Sequence, residues 1–266
     1  MEITQLQQLK DDAEQVRQIY RLFDEDSRLS HSPSARVEFL TTVRYIESYA
    51  APGSKILDVG AGAGAYSLYL ADKGYDVCAL ELAEANLEAF RRKLRPGRNI
   101  RLEQGNALDL SRYADDTFDL VLVLGPLYHL HSPADRQTCI AEACRVCKKG
   151  GAVFFAFISN DMVILTELAR NKNYFLGDTY DHDSFRLVDF PFVFATPDDC
   201  RAMLRQAGVH ILREVAADGV SELMAGTIDA MDEESYRQYL RYHFYTCEKP
   251  ELLGHSNHLL FIGQKP

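Results

Sequence analysis

The chain has 266 residues, 47% of them hydrophobic and 26% charged, so it is long enough to bury a sizeable core in one α/β domain with insertions. Its 39 acidic and 29 basic residues give a net charge of −10, which repels polyanions and argues against nucleic acid as a partner. The sequence has no run of 18 apolar residues and no apolar signal core, so we expect no membrane segment and a cytoplasmic location.

The six cysteines lack the spacing of a disulfide framework. Cys144 and Cys147 form a CxxC pattern, but it lies in an amphipathic helical stretch without a second Cys/His pair nearby. We therefore expect buried packing thiols and no metal site.

The first 50 residues are predicted to form a helical cap. Apolar side chains recur at helical spacing over residues 11–23 and again over 34–49, with a polar, turn-rich segment between them. Pro52 and Gly53 then break the second helix, and residues 51–266 are predicted to form the main domain.

From residue 55 onward, short apolar runs alternate with helical stretches. The predicted strands are 55–59, 76–80, 100–104, 120–124, 152–158, 209–215 and 258–263. The predicted helices are 64–73, 83–94, 133–149 and a later one that starts at the capping residue Thr196 and ends at Gly208. This alternation implies right-handed crossovers and a mostly parallel sheet with helices on both faces.

Two stretches depart from the alternation. Residues 159–195 are rich in aromatic residues and Asp, and residues 220–257 are acidic at first and rich in Tyr later. We expect both, together with the N-terminal helices, to form a lid over the carboxyl ends of the strands.

A strand that runs into a glycine-rich turn carries the first functional signal. Asp58 is followed by Gly60, Gly62 and Gly64, and a helix begins directly afterwards. Glycines permit positive φ and let a ligand approach the backbone, and open α/β sheets bind ligands at this edge. The turn alone also fits the looser GxGxxA fingerprint of dinucleotide-binding enzymes, so both interpretations are open at this point.

Two acidic residues narrow the choice of ligand. A carboxylate at Asp58 crowds a pyrophosphate but suits a ligand with an ammonium and a sulfonium, such as S-adenosylmethionine. Glu81, which ends the next strand, can accept both hydroxyls of a ribose. Glu81 therefore supports a nucleoside ligand of either kind.

In these residues the sequence resembles the class I S-adenosylmethionine-dependent methyltransferase family. Asp58 and the three glycines are similar to the family's first motif, and Glu81 is similar to its ribose-binding acid. The run from Ala141 to Gly151 resembles the family's signature of helix, Lys-Pro-Gly-Gly and strand, with Lys149 in place of the Pro. The resemblance covers residues 50–158 and extends to the last strand pair. It implies a Rossmann-like seven-stranded sheet with an antiparallel last strand.

The resemblance also implies which residues contact the cofactor. Asn106 falls where the family commonly has an Asp that contacts adenine, and its side-chain carbonyl can meet the adenine amino group while Ala107 offers its backbone N–H. Arg28 or Arg36 can pair with the cofactor carboxylate or form a salt bridge within the lid. The implied cofactor-binding residues are Tyr20, Arg28, Asp58, Gly60, Ala61, Gly62, Gly64, Glu81, Leu82, Asn106, Ala107 and Leu124.

Methyl transfer is an in-line displacement that mainly needs orientation and exclusion of water, and a base only if the acceptor is protonated. Tyr128 and His129 follow the fourth strand and are the catalytic candidates. Tyr128 can line the site or pack beneath the lid. His129 has a suitable pKa for a base, and the alternative is that it holds the loop or contacts the cofactor.

The expected acceptor is a small molecule. Gly125 stands where amino-directed DNA and protein methyltransferases have an Asp or Asn, which argues against nucleic acid and glutamine amides. His255, Asn257 and His258 can line the acceptor site, and their spacing does not supply three metal ligands. The competing hypotheses are an NAD(P)-dependent oxidoreductase and a non-catalytic regulatory protein. The sequence does not predict the oligomeric state.

Overall fold

The computed structural model describes residues 6–7, 9, 11–23 and 25–265. The other residues of the predicted cap, 1–5, 8, 10 and 24, lie outside the described part, as does residue 266. Strands and helices alternate over most of the chain. The strands are β1 (Lys55–Val59), β2 (Asp76–Glu81), β3 (Ile100–Gln104), β4 (Phe118–Val123), β5 (Cys147–Ser159), β6 (Phe194–Ala195), β7 (His210–Ala216) and β8 (His258–Gln264). The helices are α1 (Asp12–Ile19), α2 (Arg36–Tyr49), α3 (Ala65–Asp72), α4 (Glu84–Lys93), α5 (Pro133–Val146), α6 (Asn160–Arg170), α7 (Pro197–Gln206), α8 (Ala225–Ile228) and α9 (Glu233–Thr246).

The strands form one twisted sheet in the order β3-β2-β1-β4-β5-β8-β7, and the short β6 pairs with β5 outside this path. Strands β1 to β5 pair in parallel, whereas β8 runs antiparallel to both β5 and β7. The predicted mostly parallel sheet with an antiparallel last strand is confirmed, and β6 is an addition that the sequence did not indicate.

The central strands are mostly hydrophobic because helices cover both faces of a parallel sheet. Every residue of β2 after Asp76 is buried, and β1 is buried from Ile56 to Val59. At the edge of the sheet, β3 contains half-buried and exposed residues and no fully buried one. The carboxyl ends of β1, β2 and β4 lie side by side, because these parallel strands are neighbours in the sheet.

Helix starts follow the predicted capping chemistry. Thr196 accepts a hydrogen bond from the Asp199 N–H while Asp199 accepts from the Thr196 N–H, and Pro197 occupies the first helical position. The helix predicted to reach Lys149 is wrong at its end. It stops at Val146, and β5 already begins at Cys147.

A bulge explains this error. The register of β4 and β5 shifts between Phe118 and Leu120, next to the Gly150–Gly151 pair. Gly150 has φ +79°, and a Cβ at Gly151 would lie 2.5 Å from the Asp119 carbonyl oxygen. Both glycines are therefore used inside an irregular strand rather than after a helix.

The N-terminal helix α2 connects two parts of the chain. Phe39 stacks on Tyr66 of α3, with ring centroids 5.3 Å apart. On another side, Thr41 Oγ1 lies 2.9 Å from His243 Nε2 of α9. The 220–257 stretch is thus held against the N-terminal helices.

Candidate functional site

A cavity of about 360 Å³ lies at the carboxyl ends of β1, β2 and β4 and is called the first cavity here. Nearly all the predicted site residues line it: Tyr20, Arg28, Asp58, Gly60, Ala61, Gly62, Glu81, Leu82, Asn106, Ala107, Leu124, Tyr128 and His129. Gly64 is the exception, since it is not among the lining residues.

The glycine-rich turn has no room for larger side chains. Gly60 and Gly64 have φ values of +73° and +87°. A Cβ at Gly60 would lie 2.9 Å from the Pro126 ring, and one at Gly64 would lie 2.6 Å from the Phe90 ring. Gly60 thus lets the turn approach the segment after β4, whereas Gly64 packs the start of α3 against α4.

Asp58 is buried at the end of β1, with only 1% of its surface exposed. Its Oδ2 accepts a hydrogen bond of 2.6 Å from the Ser67 hydroxyl on α3, a partner that the sequence did not indicate. Burial raises the pKa of the Asp58 carboxyl to about 6, helped by the nearby charge of Glu81 and opposed by the Ser67 hydrogen bond. Asp58 therefore ties the turn to the following helix and faces the first cavity.

Glu81 holds the glycine turn from the neighbouring strand. Its Oε2 accepts from the Gly62 N–H at 2.7 Å, and its Oε1 accepts from the Ala83 N–H at 2.7 Å. Burial raises the pKa of Glu81, and these backbone hydrogen bonds oppose the rise. A third donor, Asn86 Nδ2, lies 3.4 Å from Oε1. Since a carboxylate has about four acceptor positions, Glu81 can still accept a hydrogen bond from a ligand.

Asn106 forms a local turn. Its Oδ1 accepts a hydrogen bond of 3.0 Å from the Leu108 N–H. The side-chain carbonyl predicted to meet adenine is therefore already used once within the loop. It lies among the lining residues of the first cavity with Ala107.

Tyr20 and His129 join the N-terminal cap to the loop after β4. The Tyr20 hydroxyl lies 2.9 Å from His129 Nε2, and Nδ1 of the same ring is buried without a partner among the described residues. Burial, together with the charge of His131, lowers the pKa of His129 to about 3. His129 is therefore a neutral imidazole at physiological pH.

Arg28 forms the salt bridges that the sequence left as one of two alternatives. Its Nε lies 3.1 Å from Glu25 Oε1, and its Nη1 lies 2.7 Å from Glu38 Oε2. A second hydrogen bond, from Nη2 to Glu38 Oε1, makes the latter pair bidentate. Arg36, the other candidate, is exposed and is not among the residues that line the first cavity.

The first cavity carries a strong excess of negative charge. Arg28 is the one Lys or Arg among its described lining residues. The acidic lining residues are Asp11, Asp12, Glu25, Asp58, Glu81 and Asp135. Such a lining favours a cationic ligand over one with a pyrophosphate.

A second cavity of about 560 Å³ adjoins the first. The residues that line both are Tyr20, Glu25, Arg28 and Tyr128. Phe192 and Arg170 from the 159–195 stretch and Asp218, Glu222 and His258 from farther along the chain complete its walls. A third cavity, of about 370 Å³, shares Ile158, Phe192, Glu222 and His258 with the second.

Tyr128 separates the first two cavities. It is 7% exposed, its hydroxyl donates to the Leu124 carbonyl at 3.1 Å, and its ring meets Phe192 edge-on at 5.8 Å. It therefore both packs beneath the 159–195 stretch and faces the space on either side.

The residues of the predicted His255–His258 cluster lie in different surroundings in the structure. His255 is exposed, Asn257 is buried, and His258 lines the second and third cavities. His258 Nδ1 lies 2.7 Å from Asp218 Oδ2 and 3.4 Å from Glu38 Oε2. Sequence reasoning missed Asp218 and Glu38, since neither has a local motif that marks it.

Glu38, Asp218 and His258 have potential ligand atoms within 4.8 Å of one another. However, Arg28 already binds both oxygens of Glu38, and both oxygens of Asp218 accept hydrogen bonds. The described residues thus form a hydrogen-bonded ionic network at this position. All six cysteines are free and buried, as expected for packing thiols.

The segment that contains most of the site residues also matches known proteins. A methyltransferase domain family matches residues 57–155, which run from β1 to β5. The chain is also 29% identical over 165 residues to the ubiquinone biosynthesis O-methyltransferase of Pseudomonas syringae pv. tomato, covering 60% of this chain and 66% of that protein. The segment from β1 to β5 therefore carries a methyltransferase domain, and these matches support the resemblance of the chain to the class I S-adenosylmethionine-dependent methyltransferases. S-adenosylmethionine is the cofactor of this family.

Other members give matches of different length. The ubiquinone biosynthesis O-methyltransferase of Pseudomonas fluorescens strain Pf0-1 is 34% identical over 111 residues, covering 41% of this chain and 46% of that protein. The enzyme of the same name from Hydrogenovibrio crunogenus is 28% identical over 188 residues, covering 69% of this chain and 71% of that protein. The matches to the two Pseudomonas enzymes cover less than two thirds of each relative's length.

Solved structures share the fold over nearly the whole chain. A protein from Pyrococcus horikoshii OT3 superposes with a TM-score of 0.60 at 18% identity, covering 94% of this chain and 99% of that one. The cyclase SpnF superposes with a TM-score of 0.59 at 17% identity, covering 96% of this chain and 97% of that one. At this identity the likeness concerns the fold alone.

Among the described residues, no helix has the length and apolar character needed to cross a membrane.

Proposed function

We propose that the chain transfers the methyl group of S-adenosylmethionine to a small-molecule acceptor, with the cofactor in the first cavity and the acceptor in the second. The observation that carries the proposal is the acidic lining of the first cavity at the glycine turn. Six carboxylates face one guanidinium there, which suits the ammonium and sulfonium of S-adenosylmethionine. The same lining would repel the pyrophosphate of a dinucleotide, so it argues against the oxidoreductase alternative.

Four of the predicted cofactor residues have an assigned role in this arrangement. Glu81 keeps acceptor capacity for the ribose hydroxyls, and the buried carboxylate of Asp58 faces the cationic end of the ligand. Asn106 and Ala107 line the part of the first cavity assigned to adenine. Bound in this way, S-adenosylmethionine would supply a methyl carbon attached to a positively charged sulfur.

The chain's own groups orient the reactants and exclude water. Tyr128 stands between the two cavities, and Tyr20, fixed by its hydrogen bond to His129, covers the same boundary from the N-terminal side. We propose that His129 positions Tyr20 and does not act as a base, because its low pKa leaves it a weak proton acceptor.

A small acceptor fits both the charge and the enclosure of the site. The net charge of −10 opposes binding of a polyanion. The second cavity is enclosed by residues of the N-terminal helices and of both stretches predicted as the lid. The relatives described above by sequence identity are named ubiquinone biosynthesis O-methyltransferases, which supports a small hydroxyl-bearing acceptor.

Calorimetric titration of S-adenosylhomocysteine and, separately, of NADH tests the proposal. We expect S-adenosylhomocysteine to bind and Glu81→Ala to weaken its binding by about 1–3 kcal/mol, the value for a lost hydrogen bond to a charged group. Glu84→Ala is the control, since Glu84 is an exposed residue three positions along whose carboxylate pairs with Arg91. Binding of NADH without binding of S-adenosylhomocysteine would overturn the proposal.

A further inference from the structure

His258 is held in a fixed orientation at the wall between the second and third cavities. Its Nδ1 lies 2.7 Å from Asp218 Oδ2, and its backbone N–H donates to Asp218 Oδ1 at 3.0 Å. Asp218 is itself fixed, because the Ser256 hydroxyl donates to Oδ1 at 2.5 Å. An imidazole bound in this way to a buried carboxylate has both its tautomer and its direction set.

The second ring nitrogen of His258, Nε2, is not held by a hydrogen bond to any described residue. Within the part of the chain that the structure describes, Nδ1 makes the hydrogen bond and Nε2 has no partner. The imidazole is 20% exposed and contributes to the lining of both cavities. Nε2 is therefore the nitrogen available to a molecule bound there.

The cavity around His258 suits an aromatic acceptor. Ile19, Phe23, Ile158 and Phe192 provide apolar walls, and the ring of Tyr128 lies on the side of the first cavity. A flat, partly polar molecule can pack on these side chains while its hydroxyl reaches a polar group.

We propose that His258, oriented by Asp218, accepts the proton of a phenol-like hydroxyl of the acceptor bound in the second cavity. This inference rests on the proposed function. The step starts from the neutral ring, with its one proton on Nδ1 and a lone pair on Nε2. The O–H bond breaks and its proton goes to Nε2. The oxygen lone pair then forms the bond to the methyl carbon that the cofactor supplies, and the methyl–sulfur bond breaks with its electron pair left on sulfur.

The charges around His258 match this class of acceptor. Burial would lower the pKa of His258, but Glu38 of α2 and Asp218, which follows β7, raise it to about 9, and Arg28 opposes them. Asp218 stays ionised, since the charge of His258 and the hydrogen bonds that Asp218 accepts hold its pKa below the usual value despite burial. With this pKa the ring is mostly an imidazolium near pH 7, so it can act as a base only after it has released its own proton to solvent. Once neutral, it is close in basicity to a phenolate, since a phenol has a pKa of about 10, and the proton transfer is then nearly balanced.

Other ionisable groups line the second cavity, among them His31 in the loop before α2 and Asp229, which follows α8. Glu25 lies in the loop after α1, Arg170 ends α6 and Glu222 lies between β7 and α8, and all three line the second cavity. Tyr239 and His243 of α9 are close enough to Asp218 for its charge to affect them. Arg170 forms an ion pair with Glu222. The carboxylates that pair with the His258 ring itself are those of Glu38 and Asp218.

The test uses 4-nitrophenol as a probe whose absorbance reports its ionisation, with the full chain saturated with S-adenosylhomocysteine. In the wild type we expect the bound probe to ionise at a pH at least one unit below that of the free probe. His258→Gln should abolish this shift, because an amide can keep the hydrogen bond to Asp218 but cannot take up a proton. Asp218→Asn should reduce the shift, and NMR should show the His258 ring titrating at lower pH than in the wild type.

His255→Gln is the matched control, since His255 is an exposed imidazole in the turn before β8 and lines none of the three cavities. It should retain the full shift. S-adenosylhomocysteine should bind every variant within about twofold of the wild type, which shows that the fold is intact.

Three results would overturn the inference while leaving the proposed function in place. They are no binding of 4-nitrophenol, an ionisation shift that survives in His258→Gln, and a shift that disappears on addition of EDTA, which would assign it to a metal ion. Failure of the wild type to bind S-adenosylhomocysteine would instead remove the proposed function and the inference together.

Discussion

The first and second cavities are built in different ways. The first is formed mainly by short segments at consecutive strand ends, and its key contacts, such as Asp58 with Ser67 and Glu81 with Ala83, join residues close in the chain. The second depends on contacts between distant parts, such as Thr41 with His243 and His258 with Glu38. We infer that the cofactor side tolerates little local change, whereas the acceptor side depends on how the long insertions pack.

The largest effect is expected at the turn of the first cavity. Gly64→Ala places a Cβ 2.6 Å from the Phe90 ring at φ +87°, which should lower the free energy of unfolding by about 2–4 kcal/mol from strain and overpacking combined. Gly74→Ala is the control, because Gly74 has φ +88° and no atom within 4 Å of an added Cβ. It should cost only about 1–2 kcal/mol in chemical denaturation. Equal losses in the two variants would contradict the close packing at Gly64.

The sequence predicted the first cavity because its residues sit in local patterns. A carboxylate at a strand end followed by spaced glycines is visible in ten residues, and the alternation of strands and helices places Glu81 and Asn106 at the same edge. Local patterns do not reveal the hydrogen-bond partner of each side chain. Neither the Ser67 hydroxyl on Asp58 nor the hydrogen bond within the Asn106 loop could be predicted from spacing.

The sequence predicted the second cavity only in part. The aromatic 159–195 stretch predicted a covering segment, and His258 was named as one of several possible acceptor-site residues. Its partners could not be named, since Glu38 looks like an ordinary polar position of a helix and Asp218 lies in an irregular loop. Their convergence depends on tertiary packing across about two hundred residues, as the contact of Thr41 with His243 illustrates.

A smaller effect on stability is expected from the ionisation of Asp58. Its pKa is raised from 3.8 to about 6 in the folded chain, so its stabilising contribution is fully present below pH 3.8 and is lost as the pH rises through 6. In the absence of cofactor, the wild type should lose up to about 3 kcal/mol over this interval relative to Asp58→Asn. Denaturation curves between pH 4 and pH 7 measure the difference.

Asp76→Asn serves as the comparison, since Asp76 is a half-buried carboxyl at the start of the neighbouring strand β2. The Asp76→Asn variant should keep the pH dependence that the charge of Asp58 gives the wild type. If Asp58→Asn shows the same pH dependence as the wild type, the proposed burial cost of the Asp58 charge is wrong.

The smallest effect on stability is expected from the loss of a contact between distant parts of the chain. Thr41→Val removes the hydroxyl that contacts His243 and leaves a buried imidazole nitrogen without its partner, which should cost about 1–2 kcal/mol of stability. Thr138→Val is matched to it, because Thr138 also bonds a carbonyl of its own helix but is exposed. Binding of S-adenosylhomocysteine should stay within about twofold in both variants. A large loss of affinity in Thr41→Val would show that the first cavity also depends on α9.

The double salt bridge of Arg28 has a thermodynamic consequence for the two cavities. One of its partners, Glu25, lies against Gly62 of the turn, and the other, Glu38, lies beside His258. A ligand that draws either carboxylate away from Arg28 changes the charge presented to the neighbouring cavity. Linkage makes such an influence mutual, so cofactor and acceptor would alter each other's affinity by the same factor through a single guanidinium.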